Sequence, residues 1–154
     1  MNRTHEHQAY DGSHLMNVLL VEDNPGDVYL TLKAFRDVEL PVKVHVVTNG
    51  VEALAFLRQQ GAYAQVPRPK LILLDLHVPK NDGCEVLQEI KGDADLKLIP
   101  VIMFTDSQAE EDILRAYKLH ANAYIIKPVA PDHFLSIIQG LKSFWFEVVT
   151  LPSV

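Results

Sequence analysis

The chain has 154 residues, a formal net charge of −6 and a pI near 5.6. That is room for one domain with a substantial core and no second one, without the basic stripe that a nucleic-acid partner calls for. A single cysteine, Cys84, excludes an internal disulfide and a cysteine-based zinc site and suits a reducing cytoplasm, while no apolar run of membrane-spanning length and no signal-like start leave a cytoplasmic protein with no membrane partner as the expectation.

Residues 1–14 are polar and aperiodic, with His5, His7 and His14, and are expected to form a flexible extension. The domain itself is expected over 15–148, with 149–154 as a tail. Leu15 to Val21 reads as a buried strand that ends in the acid pair Glu22-Asp23. Asn24 and Pro25 suit the N-cap and first position of a helix, and Asp27 suits its third. Val28, Leu32 and Phe35 lie on one face of that helix, which runs to about Glu39. Val42 to Val47 is a second strand, and Asn49 to Glu52 resembles a capping box opening a helix to about Gln60, with Ala53, Leu54 and Leu57 inward. Residues 61–70, with Pro67 and Pro69, form a long connection.

Leu71 to Leu74 shows no polar alternation, so it reads as a strand covered on both faces, and it stops at Asp75. Pro79, Asp82 and Gly83 supply turn chemistry leading into a helix from about Gly83 to Gly92, with Val86, Leu87 and Ile90 inward and Cys84 packed at its start. Pro100 precedes a strand from Val101 to Phe104 that ends in Thr105. Ser107 to Glu110 looks like a further capping box, opening a helix to about Leu119. Ala121 to Ile126 is the fifth strand, and Lys127-Pro128 follows it. Pro131-Asp132 opens a last helix carrying Phe134, Ile138, Leu141 and Trp145, more apolar surface than one sheet-facing stripe needs. His45, His120 and His133 read as surface or structural histidines.

Five strand-then-helix units predict an α/β, doubly wound (βα)5 sandwich with all strands parallel, and the flavodoxin-like order 2-1-3-4-5 is the one taken for it. In that order strands 1 and 3 are neighbours at the switch point, which puts Asp23 beside Asp75. Thr105 and Lys127 end strands 4 and 5 on the same rim. Crowded carboxylates repel unless a cation relieves them, and hard oxygen donors in a partly open site suit Mg2+ (or Mn2+). Such a site can neutralise an incoming phosphoryl group while one Asp75 oxygen attacks phosphorus, with Lys127 as a point charge and Thr105 as a hydroxyl donor.

These residues resemble the receiver domain of two-component response regulators over about Met16 to Leu141. Leu20-Val21-Glu22-Asp23, Asp75, Pro79 with Asp82-Gly83, Thr105 and Lys127-Pro128 match that family's pattern. The resemblance implies Asp75 as phosphoacceptor, with Mg2+ held by Asp23, Asp75 and the backbone carbonyl of His77 and supported by Glu22 through water. It implies Tyr124 as the switch aromatic and His77 and Ser107 as the residues that tune the aspartyl phosphate's lifetime. The product is a signalling module rather than a dedicated enzyme. The proline-bearing connection and the terminal LKSFWFEVVTLP are similar to the small regulators paired with phytochrome-type histidine kinases. That likeness implies such a kinase as phosphodonor and a homodimer around the last strand, last helix and tail; downstream, the domain is either a terminal effector or a relay to a histidine phosphotransfer protein. Independently, Phe144, Trp145 and Phe146 are consecutive and cannot all face one core, so they are candidate interface residues. The competing occupant of that surface is the tail folded back on its own domain.

Two other classes use related parts. A haloacid-dehalogenase-type phosphatase also has a strand-end nucleophilic aspartate but needs a second acid two residues later, where this chain has His77. A nucleotide-binding fold needs a glycine-rich loop after the first strand, and none is present. A receiver-like scaffold that is never phosphorylated is the remaining alternative.

Overall fold

The computed structural model describes residues 15–153; the extension expected over 1–14 lies outside them. Five units follow one another: β1 (Met16–Val21), α1 (Pro25–Asp37), β2 (Val42–Val47), α2 (Gly50–Leu57), β3 (Leu71–Leu74), α3 (Gly83–Gly92), β4 (Val101–Thr105), α4 (Glu110–Lys118), β5 (Ala123–Ile126) and α5 (His133–Leu141). Short 3-10 turns lie at Gly61–Tyr63 and Leu96–Leu98, and α5 passes directly into a π-helical turn, Lys142–Phe146. The strands are all parallel, in the order β2-β1-β3-β4-β5, as the alternation of strands and helices predicts.

The unbroken apolar strands have a simple consequence. Side chains alternate across a strand, so Leu19, Val21, Ile72, Leu74, Val101 and Met103 meet α2, α3 and α4 on one face. Val18, Leu20, Leu71, Leu73, Ile102 and Phe104 meet α1 and α5 on the other. Both faces being covered, every residue of β3 is buried. β2 and β5, at the sheet's two edges, are only half-buried.

Several local expectations are corrected. The buried face of α1 is Thr31, Ala34 and Phe35, not Val28, Leu32 and Phe35. Thr31 can face the core because its hydroxyl donates to the Asp27 carbonyl at 2.7 Å. α2 ends at Leu57, short of Gln60, and Gln59 turns the chain away with φ of 54°. Asn49 does cap α2, accepting from the Glu52 N–H at 2.8 Å, without the return bond from the Glu52 side chain that would complete a box. At α4 the expected Ser107–Glu110 box is absent: the N-cap is Ala109, and the Ser107 hydroxyl donates to the Asp112 carboxylate at 2.5 Å. A full capping box exists where the sequence reading placed none, between Asp82 and Glu85 at α3.

Candidate functional site

The carboxyl ends of β1, β3, β4 and β5 deliver their last side chains to one rim. Main-chain bonds hold each position: Glu22 N–H donates to Val47 O at 3.0 Å, Asp75 N–H to Val21 O at 3.1 Å, and Lys127 N–H to Thr105 O at 2.7 Å. Two glycines set the loop after Asp75. A Cβ on Gly83 would lie 2.3 Å from the Asp75 carbonyl oxygen, and one on Gly50 would lie 2.0 Å from that of Asn81. Only glycine lets α3 and α2 start this close to the loop. Within the loop, Lys80 and Asn81 are left-handed, with φ of 51° and 73°.

Glu22, Asp75, Thr105 and Lys127 are all buried, at 1%, 5%, 0% and 8% exposure. Lys127 is the hub. Its ammonium donates to Asp75 Oδ2 at 2.8 Å and Asp27 Oδ2 at 2.9 Å, and it is in ion-pair contact with Glu22 Oε1. It also lies 6.0 Å from the centre of the Phe104 ring. Three carboxylates on one ammonium divide its charge unequally. For Asp75, burial pushes the carboxyl up, but the hydrogen bond and charge of Lys127, with bonds from the His77 N–H and the Thr105 hydroxyl, hold it below the usual range. For Glu22, burial dominates and Asp75 repels, so its carboxyl is pushed up to about 7 despite Lys127. Burial alone would lower the Lys127 pKa; its three carboxylate partners raise it instead.

His77, Ser107 and Tyr124 connect to this hub. The His77 N–H donates to Asp75 Oδ1 at 3.2 Å. The Ser107 N–H donates to Thr105 Oγ1 at 3.5 Å, and the Tyr124 hydroxyl donates to the Ser107 carbonyl at 2.9 Å. Tyr124 thus ties β5 to the β4–α4 loop, with its ring against the core.

Asp23 is exposed at the end of β1, one residue from the hub. Among the described residues no three His, Cys, Asp or Glu side chains form a metal cluster by themselves. The donor types nonetheless suit a hard cation: Glu22, Asp27 and Asp75 are gathered on one lysine, and the exposed Asp23 follows Glu22 in the chain. Two carboxylates, a main-chain carbonyl and waters are the donors that Mg2+ or Mn2+ accepts.

The three C-terminal aromatics divide. Phe144 is 54% exposed, whereas Trp145 and Phe146 are partly buried on the α1/α5 face. The tail lies against its own domain, where the Pro152 carbonyl accepts from Lys70 Nζ at 2.8 Å. Cys84 is buried and its thiol is pushed up by burial. His45 pairs with Asn17 at 2.9 Å; His120 and His133 are exposed. No helix among the described residues is long and apolar enough to cross a membrane.

Asp27 and Gly50 are the parts of the site that sequence reasoning missed. Asp27 was visible only as a helix-start acid, and its partner lies 100 positions away. Gly50 carried the signal of a glycine beside an N-cap and nothing more.

Comparison with known proteins gives a consistent picture. The model of the response regulator receiver domain matches residues 18–139. Response regulator Rcp1 of Synechocystis is 45% identical over 136 residues, which are 88% of this chain and 92% of that one. The phosphorylated cyanobacterial phytochrome response regulator RcpA superposes with a TM-score of 0.86 at 46% identity, over 90% of this chain and 99% of that one. The Mn2+-bound form of Rcp1 gives 0.84 at 44% identity, over 90% and 99%.

Proposed function

From the premise that this chain belongs to the response regulator receiver domain family, we propose that it is a switch in a two-component system, phosphorylated on Asp75 by a sensor histidine kinase. The observation that carries this reading is the buried Asp75, hydrogen-bonded to Lys127 at 2.8 Å, with buried Thr105 ending the neighbouring strand, on a rim that also holds Glu22 and Asp23.

In the transfer, an Asp75 oxygen attacks the phosphorus of a phosphohistidine. The new P–O bond forms as the P–N bond breaks, and the imidazole leaves with the electron pair. Asp75 suits the nucleophile's role because Lys127 keeps it ionised. Lys127 then moves its hydrogen bond from the carboxylate to a phosphoryl oxygen, and Thr105 donates its hydroxyl to another. Because Ser107 and Tyr124 are bonded in series to Thr105, movement of Thr105 reaches the β4–α4 loop and β5. Asp23, Asp75 and the His77 carbonyl, with support from Glu22 through water, would hold a Mg2+ or Mn2+ ion, which would neutralise charge on the phosphoryl oxygens. His77 and Ser107, beside the acceptor and the threonine, tune the lifetime of the product.

The likeness to phytochrome response regulators supports a phytochrome-type kinase as donor, a cytoplasmic setting, and a histidine phosphotransfer protein as a further partner. Exposed Phe144, with Trp145 and Phe146 behind it, supports a homodimer through β5, α5 and the tail.

Intact mass and size exclusion after treatment with a small phosphodonor and Mg2+ test the proposal. One phosphoryl group should be gained, only with Mg2+ and not in Asp75→Ala. An unmodified wild type, under conditions that label another receiver, refutes it and favours a scaffold.

A further inference from the structure

Of the three carboxylates around Lys127, Asp27 is the one the chemistry above does not use. We propose that Asp27 is a positioning residue: it holds the Lys127 ammonium at the mouth of the site, where a phosphoryl group on Asp75 has to lie, and so sets how fast Asp75 accepts one. The inference rests on the receiver reading.

The ammonium has three N–H groups and three carboxylate partners, but they are not equivalent. The Glu22 side chain is 2% exposed and the Asp75 side chain 7%, whereas that of Asp27 is 27% exposed. An ammonium tied to Glu22 and Asp75 alone would settle inward, towards the buried pair. Asp27 supplies the outward pull. Asp75 is backed by the buried end of β3, so a phosphoryl group on it extends to the open side. An ammonium already held there reaches the phosphoryl oxygens with little movement.

Asp27 is well anchored for that task. Its N–H donates to Asn24 Oδ1 at 3.0 Å, and its carbonyl accepts from the buried Thr31 hydroxyl at 2.7 Å. The Asn24 N–H in turn donates to Glu22 Oε2 at 3.1 Å. One asparagine therefore fixes both the Glu22 carboxylate and the main chain that carries Asp27. A carboxylate serving only the helix N-terminus needs no such cation partner from another strand. During transfer Asp27 exchanges no atom or proton; it acts only on where Lys127 points.

The test uses the full chain with Asp27→Ala and Asp27→Asn. Mass labelling is followed over time with acetyl phosphate and Mg2+, and the lysine ammonium 15N signals are recorded without donor. Wild type should show an exchange-protected Lys127 ammonium near neutral pH, assigned by its absence from Lys127→Met and broadened in Asp27→Ala. Labelling of Asp27→Ala should slow about 5- to 10-fold, while Asp27→Asn, which keeps an acceptor oxygen, should retain at least about half the wild-type rate. Labelling of Asp27→Ala at or above the wild-type rate overturns the proposal. So does equal slowing of both variants, or an ammonium signal unchanged in Asp27→Ala. A wild type that takes no phosphoryl group sinks the receiver reading instead, and the ammonium signals still decide whether Asp27 holds the lysine.

Discussion

Replacing Lys127 with Met removes the ammonium while keeping an unbranched chain in the same space. The buried Asp75 and Glu22 and the half-buried Asp27 then lose their common partner. Breaking a buried ion pair by removing one member typically costs about 3–5 kcal/mol, because the other charge is left without a partner. Glu22 can escape part of this by holding a proton, since its carboxyl is already pushed up to about 7 in the intact protein. The loss should therefore approach ~4 kcal/mol at pH 8 and shrink to ~1–2 kcal/mol at pH 5.5. At about 2–4 °C per kcal/mol for a chain of this size, the pH 8 figure lowers Tm by roughly 8–16 °C. Thermal and urea unfolding in EDTA at the two pH values measure it, and adding Mg2+ should return more stability to the variant than to wild type. A loss under about 1 kcal/mol at pH 8, or equal losses at both pH values, would refute the view that Lys127 neutralises this cluster.

Gly83→Ala puts a methyl 2.3 Å from the Asp75 carbonyl oxygen, so it should cost at least ~1–3 kcal/mol and slow Asp75 labelling; unchanged urea unfolding and labelling would contradict the close-packing argument. For Glu22, a carboxyl raised from 4.5 to about 7 means the folded chain keeps a proton that the unfolded chain releases. Without metal, this contribution is full below 4.5 and is lost as pH rises towards 7. Asp75, lowered from 3.8, has the opposite sign: its contribution is present above 3.8 and lost only at lower pH. Glu22→Gln should abolish the decline between 4.5 and 7, and parallel stability profiles for the two proteins across that window would refute it. Tyr124→Phe deletes the bond to the Ser107 carbonyl and should cost ~0.5–1.5 kcal/mol, with faster amide exchange over residues 105–109; exchange identical to wild type would mean that Tyr124 does not restrain this loop.

Asp75 was legible because a four-residue apolar strand stops at it, and an all-parallel sheet follows from five strand-helix repeats. Asn24, Pro25 and the strand-end residues Glu22, Thr105 and Lys127 were legible on the same footing, since caps and strand ends are written within a few neighbouring residues. Boundaries were less so: α2 ends at Leu57 because Gln59 adopts a left-handed conformation, for which its side chain gives no signal. The Ser107–Glu110 spacing matched a capping box, yet Asp112 competed successfully for the serine hydroxyl.

By itself, then, the sequence determined the elements, their parallel direction and the polar residues at the carboxyl rim, because burial periodicity and turn chemistry act over a few residues. Tertiary structure alone decided which carboxylates share Lys127, which face of α1 is buried, and why Gly50 must be glycine. Those outcomes depend on groups far apart in the chain, Asp27 and Lys127 being 100 residues apart, and on distances of a few ångströms between backbones. Local pattern carries no information at that range; packing two helices and four strand ends against one another supplies it.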